Sequence, residues 1–491
     1  MGTTGLVSIA ERLAEMSATH PERVLLECGD SARTAKDIEA NSNRLAHYFA
    51  GLGVKEDDFV TIALPNCVEF IESVFAIWKL GATPQPVSHR LPGSELEAVV
   101  ELANPSLVLG VDPARIPNRV VLPTDFAIPD DTPSSPQPVR YARFNRAPTS
   151  GGSTGRPKLI IDRRPAAVYD DPMLPMDGAA VIPGPMYHTA PFQMATRSIL
   201  RGNLTVMFPR FDPEATLAAV ERTGAQFLYT VPTMLSRMWK LPADQRDAYQ
   251  LSSLKVLLHT AAPCPEWLKR EWIGKVGDAL TELYASSEGA VKLTIRGNEW
   301  LAHPGSVGKP RGDDRIKILG DDGNEVQPGI VGNVYMRSAG DRDFEYRGAE
   351  RTNTHDGFTT VGDMGHVDTD GYLYLADRRS DLIIRGGANI FPAEVEAALE
   401  AHPAVRSVAV VGLPDEDLGK RVHAVVDAPN GVDEAELRAF VADQLVAYKC
   451  PESYEFIDGP VRDEAGKVRR NALAIRAQRE HSTQPPTRGN Q

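Results

Sequence analysis

Thr149-Ser-Gly-Gly-Ser-Thr-Gly-Arg-Pro-Lys158 packs three glycines, four hydroxyl side chains and a lysine into ten residues. Glycine lets backbone N–H groups come close to an oxyanion, and the Ser and Thr hydroxyls add donors. Lys158 adds a cation that can follow a pyrophosphate. These residue types suit a loop that holds the phosphates of a nucleotide. A flexible Gly/Ser linker with a chance lysine is the plainer alternative, and composition by itself favours it. The spacing does not fit the GxxxxGK[ST] phosphate loop.

Eight further segments follow in order: Pro185-Met-Tyr-His-Thr-Ala-Pro191, His259-Thr-Ala-Ala-Pro263, Tyr284-Ala-Ser-Ser-Glu288, Gly305-Ser-Val-Gly-Lys-Pro310, Thr360-Val-Gly-Asp363, the run DRRSDLIIRGGANIFPAEVE over 377–396, Tyr448-Lys-Cys-Pro451 and Gly466-Lys-Val-Arg469. Singly, each has an ordinary reading. His188 reads as a structural histidine, 259–263 as a strand-to-helix turn, Glu288 as one exposed carboxylate, Asp363 as an acidic turn residue and Lys467 as a solvated lysine. Together, and in this order, they resemble the signatures of the ANL superfamily of adenylate-forming enzymes. That superfamily comprises acyl-CoA synthetases, peptide-synthetase adenylation domains and firefly-type luciferases. The loop aligns with (S/T)SG(T/S)(T/S)GxPKG over Ser150 to Leu159, with Gly151 in place of Ser and Leu159 in place of the final Gly. The resemblance covers about residues 10 to 475.

It implies that Thr149, Ser150, Gly151, Gly152, Ser153, Thr154, Gly155 and Lys158 hold the nucleotide's phosphates. Ala261, Ala262 and Pro263 would form the adenine-side turn, where small residues let a purine lie flat, and Tyr284 would stack on the base. Ser287 would donate to the α-phosphate. Glu288 would bind Mg²⁺, which takes oxygen ligands and is commonly held by one or two carboxylates beside substrate phosphates. Ala285 stands for Gly and Ser287 for Thr in that motif. Asp363 would accept from the ribose hydroxyls, with Arg378 as a second ribose and phosphate contact. Gly184, Tyr187 and His188 would shape the acyl pocket, His188 nearest the acyl-phosphate. Lys467 would bridge the substrate carboxylate and the α-phosphate as charge develops there. Ser380 takes the hinge position, usually Asp or Lys, and a small polar residue still permits the φ/ψ change of a hinge. Arg385, Gly386, Gly387 and Lys449 would meet coenzyme A, the glycines leaving room for its pantetheine arm. Arg385 stands where relatives have a small residue. Gly305–Pro310 resembles a structural turn.

The implied reaction has two steps: a carboxylate attacks ATP to give an acyl-adenylate, and coenzyme A then takes the acyl group. Outside the motifs, LPNCVEFIESVFAIWKLGATPQPVSHRLP and HTAAPCPEWLKREW are similar to bacterial bile-acid-CoA ligases, which implies a bulky steroid- or terpenoid-like acid. Three alternatives stand beside this: loading of a carrier-protein phosphopantetheine, thioesterification alone, and a silent nucleotide- or acid-binding protein.

The elements that must position these residues read as alternating helix and strand. Asp37–Ala50 and Glu69–Leu80 have helical spacing around a strand at Phe59–Leu64, and strands at 227–231 and 256–260 each lead into a helix. Such alternation predicts an α/β fold with substantial parallel sheet. After Asp377 the texture becomes that of a small α+β unit: helix 392–401, strands 407–413 and 422–428, helix 434–445. The expected organisation is a large N-terminal multi-sheet αβ domain over residues 1–378, a hinge at 379–380, a small mobile C-terminal α+β domain over 381–478 and a disordered tail over 479–491. A formal charge of −13 argues against nucleic acid as partner. Cys28, Cys67, Cys264 and Cys450 lack metal-ligand or disulfide-framework spacing, and the N-terminus lacks a secretory pattern. No apolar run is long enough to span a bilayer. A soluble, cytoplasmic protein is expected, with ATP, Mg²⁺, coenzyme A and a carboxylic acid as its small-molecule partners; a homodimer is left open.

Overall fold

The computed structural model describes residues 6–151, 157–288, 291–338, 344–350, 354–415, 417–463 and 466–483. An eight-stranded sheet dominates the large domain among them. Its six inner strands run parallel and its two edges are antiparallel. Alternation along one inner strand explains how it is covered. Ala180 and Ile182 of Ala179–Ile182 face a core shared with helices Ala35–Gly51, Val68–Lys79 and Thr189–Leu200. Ala179 and Val181 face a second core built with helices Pro213–Thr223 and Glu266–Val276. Side chains two apart share a face, so one short apolar strand serves both layers. The first core also reaches a four-stranded parallel sheet that contains Phe59–Ile62, so helices 35–51 and 68–79 lie between two sheets.

A short hairpin pairs Thr149–Gly151 with Pro157–Asp162, which in turn pairs with Phe344–Arg347. A six-stranded antiparallel sheet leads through Leu373–Arg378 to the small domain. The small domain has its own core. Strands Ser407–Asp415, Gly419–Asp427 and Ser453–Ile457 pack against helices Pro392–Glu400 and Glu434–Ala442.

The chain end differs from expectation. Helix Arg470–Thr483 continues into the segment expected to be a disordered tail, because Leu473, Ala474 and Ala477 pack on Val411 and Leu413. Residues 484–491 lie outside the described residues. Among those described, the four cysteines are free thiols, and no helix is long and apolar enough to cross a membrane.

Candidate active site

Ligand sites of open α/β sheets lie outside the carboxyl ends of the strands. Here four parallel strands deliver motif residues to that edge. Ala179–Ile182 leads to Gly184, Tyr187 and His188; Val256–Thr260 leads to Ala261–Pro263; Leu280–Tyr284 leads to Ser287 and Glu288; Phe227–Thr230 leads to the helix carrying Thr233.

Two clusters form there. In the first, the Tyr284 hydroxyl donates to Asp363 at 2.6 Å, and Arg378 Nε lies 3.4 Å from the other carboxylate oxygen. Burial pushes the Tyr284 phenol well up, and the neighbouring Asp363 pushes it further. In the second, Lys158 lies 3.6 Å from Glu288 and 4.0 Å from the centre of the Tyr346 ring, while the Tyr346 hydroxyl donates to Glu288 at 2.8 Å. Ser287 and Thr189 hydroxyls meet at 3.0 Å between the clusters and His188. A carboxylate with open oxygen valence beside a lysine is a donor set that fits a hard cation shared with an anionic ligand.

His188 immediately precedes helix Thr189–Leu200 without a capping hydrogen bond from its ring, and Tyr187 packs on that ring with centroids 4.4 Å apart. Burial, helped by the Lys467 charge, pulls the imidazole down to about 3, so His188 is neutral at physiological pH. Lys467 comes from the small domain. Its side chain is open to solvent at the mouth of the cleft, yet protein walls crowd it. Crowding lowers the ammonium's pKa; Asp463 and Glu288 pull upward and Arg378 downward. The neighbouring Gly466 faces Thr233 and Ala262 of the large domain, where an added Cβ would come within 3.8 Å of both. Two more links join the domains: Lys240 Nζ donates to the Val405 carbonyl at 2.7 Å, and Arg469 pairs with Glu95 at 3.0 Å.

Inside the small domain an ionic chain runs from Ser380 to the loop that carries Lys467. Ser380 donates to Asp381 at 3.0 Å, Asp381 pairs with Arg470 at 3.1 Å, and Arg470 with Glu396 at 2.7 Å. Glu396 pairs with Arg462 at 2.7 Å, and Arg462 donates to the Gly466 carbonyl at 3.3 Å.

The remaining sequence-predicted residues fall into place less uniformly. Thr149 accepts from Gln85 at 3.1 Å, and Ser150 pairs with Lys158 in the hairpin. Gly152, Ser153, Thr154 and Gly155 lie outside the described residues. Leu159, where the signature has Gly, is fully buried against Phe59 and Phe144 and therefore serves packing. Ala261 holds φ +76°, a conformation that strains an L residue by about 1–2 kcal/mol. Gly184 provides no open space: a Cβ there would come 2.6 Å from the Tyr229 ring, which fills it. Gly386 and Gly387 sit at positive φ on an exposed hairpin of the small domain. Arg385 is tied to Glu452 at 2.9 Å and to the Tyr448 carbonyl at 3.2 Å, and Lys449 to Glu394 at 2.6 Å. Tyr346, Thr189 and Lys240 were not picked out from the sequence. They sit outside the quoted motif roles, and only the spacing of two aromatics in Phe344-Glu-Tyr346 on the strand hinted at one of them.

Known proteins match the chain over most of its length. The family model described as AMP-binding enzyme matches residues 13–340, and that of the AMP-binding enzyme C-terminal domain matches 394–467. A feruloyl-CoA synthase of Amycolatopsis sp is 30% identical over 488 residues, covering 95% of this chain and 98% of its own. A Mycobacterium tuberculosis ligase named for medium- and long-chain fatty acids and 3-oxocholest-4-en-26-oate is 29% identical, covering 91% and 92%. The solved structure of o-succinylbenzoate CoA synthetase from Bacillus subtilis with its acyl-adenylate intermediate superposes with a TM-score of 0.79 at 25% identity, covering 94% and 97%. The chain belongs to the AMP-binding enzyme family, the ANL superfamily of adenylate-forming enzymes, in its acyl-CoA ligase branch.

Proposed function

We propose that this protein activates a bulky, steroid- or terpenoid-like carboxylic acid with ATP and transfers the acyl group to coenzyme A. One observation carries the reading: Gly466 of the small domain packs against Thr233 and Ala262 at the strand ends of the large domain, which holds the neighbouring Lys467 near enough to His188, Glu288 and Arg378 for their charges to act on one another. A cation there can neutralise charge as a carboxylate oxygen bonds to the α-phosphorus and the bond to pyrophosphate breaks. Lys158 attracts the departing pyrophosphate. Glu288 would hold Mg²⁺, which when bound offsets phosphate charge. Neutral His188 adds no competing cation beside the carboxylate. Asp363 and Arg378 would hold the ribose, which fixes the α-phosphate in range of Lys467.

In the second step the coenzyme A thiol, as thiolate, attacks the acyl carbon and the carbonyl carbon–oxygen bond to AMP breaks. Gly386 and Gly387 are on the outer surface of the small domain while Lys467 is at the cleft, which supports rotation of the small domain between the steps. The bulky-acid reading draws support from the likeness to bile-acid-CoA ligases and from the mycobacterial relative named for a sterol-derived acid.

The test is incubation with ATP, Mg²⁺ and a panel of steroid, diterpenoid, aryl and fatty acids, with and without coenzyme A. Mass spectrometry follows adenylate, AMP and thioester beside Lys467→Ala. Acyl-CoA from one acid class, lost in Lys467→Ala but restored when synthetic acyl-adenylate is supplied, is the expected result. ATP binding with no AMP or thioester from any acid would sink the proposal.

A further inference from the structure

Lys158 approaches Glu288 and the Tyr346 ring from one face of the three-stranded sheet formed by Thr149–Gly151, Pro157–Asp162 and Phe344–Arg347. The other face carries Leu159 and Ile161, which pack with Phe59, Ala103 and Phe144. Arg347 lies over the same Phe59 ring, 4.7 Å from its centre. Thr149 stands directly opposite Leu159 in the hairpin and so shares this second face. Apolar contact holds the sheet down, but it is non-directional and does not fix where the hairpin sits on its support.

A buried polar relay supplies the direction. Gln85, fully buried, lies in strand Thr83–Pro86 beside the parallel strand Phe59–Ile62, where its register partner Thr61 is also fully buried. The Thr61 hydroxyl donates to Gln85 Oε1, and Gln85 Nε2 donates to Thr149 Oγ1 at 3.1 Å. The first bond orients the amide, so that its NH2 end faces the hairpin. The backbone of this strand is poorly placed to do the same. Thr83 and Val87 N–H groups point inward, to the Asp58 and Ile62 carbonyls at 2.8 and 2.9 Å. The outward positions are therefore Pro84 and Pro86, which have no N–H. That edge accepts, as the Pro84 carbonyl does from the Ala147 N–H at 3.1 Å, and donation to Thr149 falls to the Gln85 side chain. A polar group buried this deeply is costly unless bonded, and a fully bonded one rigidifies its surroundings.

Resting on the ligase reading above, we infer that Gln85 is a positioning residue for the nucleotide. Through Thr149 it fixes the hairpin so that Lys158, on the opposite face, stands beside Glu288 where the phosphates of MgATP would be held.

Calorimetry would give the MgATP affinity of wild type, Gln85→Met, Thr61→Val, Thr149→Val and the double variant Gln85→Met with Thr149→Val. Rates on an acid that the wild type converts would give kcat and both KM values. Gln85→Met keeps the length of the side chain and loses both hydrogen bonds. It should weaken MgATP in Kd and KM roughly five- to ten-fold, while kcat and the KM for the acid stay within about two-fold. Thr61→Val, which removes the hydroxyl that orients the amide, should move MgATP affinity the same way by a smaller factor. In the Thr149→Val background, Gln85→Met should add nothing further. Unchanged MgATP affinity in Gln85→Met, equal losses for MgATP and acid, or additive losses in the double variant overturn the inference. If Gln85→Met does not fold, Thr61→Val decides, and unchanged MgATP affinity there overturns it. A wild type that binds MgATP but makes no AMP or thioester from any acid overturns the ligase reading, and Gln85 is then judged on affinity alone. A wild type that does not bind MgATP overturns both.

Discussion

Lys240→Met should separate the two half-reactions. Lys240 ends helix Pro232–Trp239 of the large domain and reaches the small domain, where its ammonium donates to the Val405 carbonyl at 2.7 Å. Burial depresses its pKa, and the nearby Glu400 opposes that depression. Glu400 is itself pushed up by burial, with Arg462 and Lys240 among the cations that hold it down. Met keeps the apolar stem and removes the charge. A hydrogen bond from a charged donor contributes about 1.5–3 kcal/mol, and the solvent exposure of this lysine screens that to about 1 kcal/mol. The domain pose that brings Lys467 to the cleft should therefore lose roughly five-fold in its equilibrium constant. Pyrophosphate–ATP exchange reads the adenylation pose, and thioester formation from supplied acyl-adenylate reads the other. Exchange should fall about five-fold while thioester formation holds or rises. Equal loss in both assays, or unchanged exchange, would refute the reasoning, because the contact would then be incidental to the pose.

Two other perturbations follow from the site. Tyr346→Phe removes the hydroxyl that donates to Glu288 and keeps the ring under Lys158; initial rates against MgATP should show KM raised roughly ten-fold, and an unchanged KM would mean Glu288 is positioned without it. His188, held down to about 3 by burial and Lys467, stays neutral in the folded protein while the unfolded chain takes up a proton below its ordinary value of 6.5. The unfolded state then binds more protons between pH 6.5 and 3, so stability falls as pH drops through that window. Urea midpoints of His188→Gln should decline less steeply with acid than those of wild type; parallel curves would show that His188 does not carry this dependence.

The alternation of helix and strand was readable because adjacent side chains in short apolar runs must face different layers, as in Ala179–Ile182. The motif residues could be placed because their chemistry is written in contiguous segments. What escaped depends on contacts between distant segments. Asn66 ties together carbonyls more than a hundred residues away from it, and Lys240 finds its partner across a domain boundary. Neither looks different in sequence from an ordinary polar surface residue. At Gly184 the space a side chain would take is already filled by the Tyr229 ring, which no local motif could announce. The final helix outran expectation because its few apolar residues find a small patch on Val411 and Leu413 that no periodicity in the tail announces.

The ionic chain from Asp381 through Arg470, Glu396 and Arg462 to Gly466 also bears on timing. Glu396 is buried, and a paired buried charge resists separation because either partner alone would be left desolvated. The loop bearing Lys467 is therefore tied through paired charges to Asp381, beside the proposed hinge. Under the proposed rotation, turning the hinge and withdrawing the lysine become a single motion. The coupling between hinge position and lysine loop would then be set in the small domain's interior, by residues assigned no contact with a substrate.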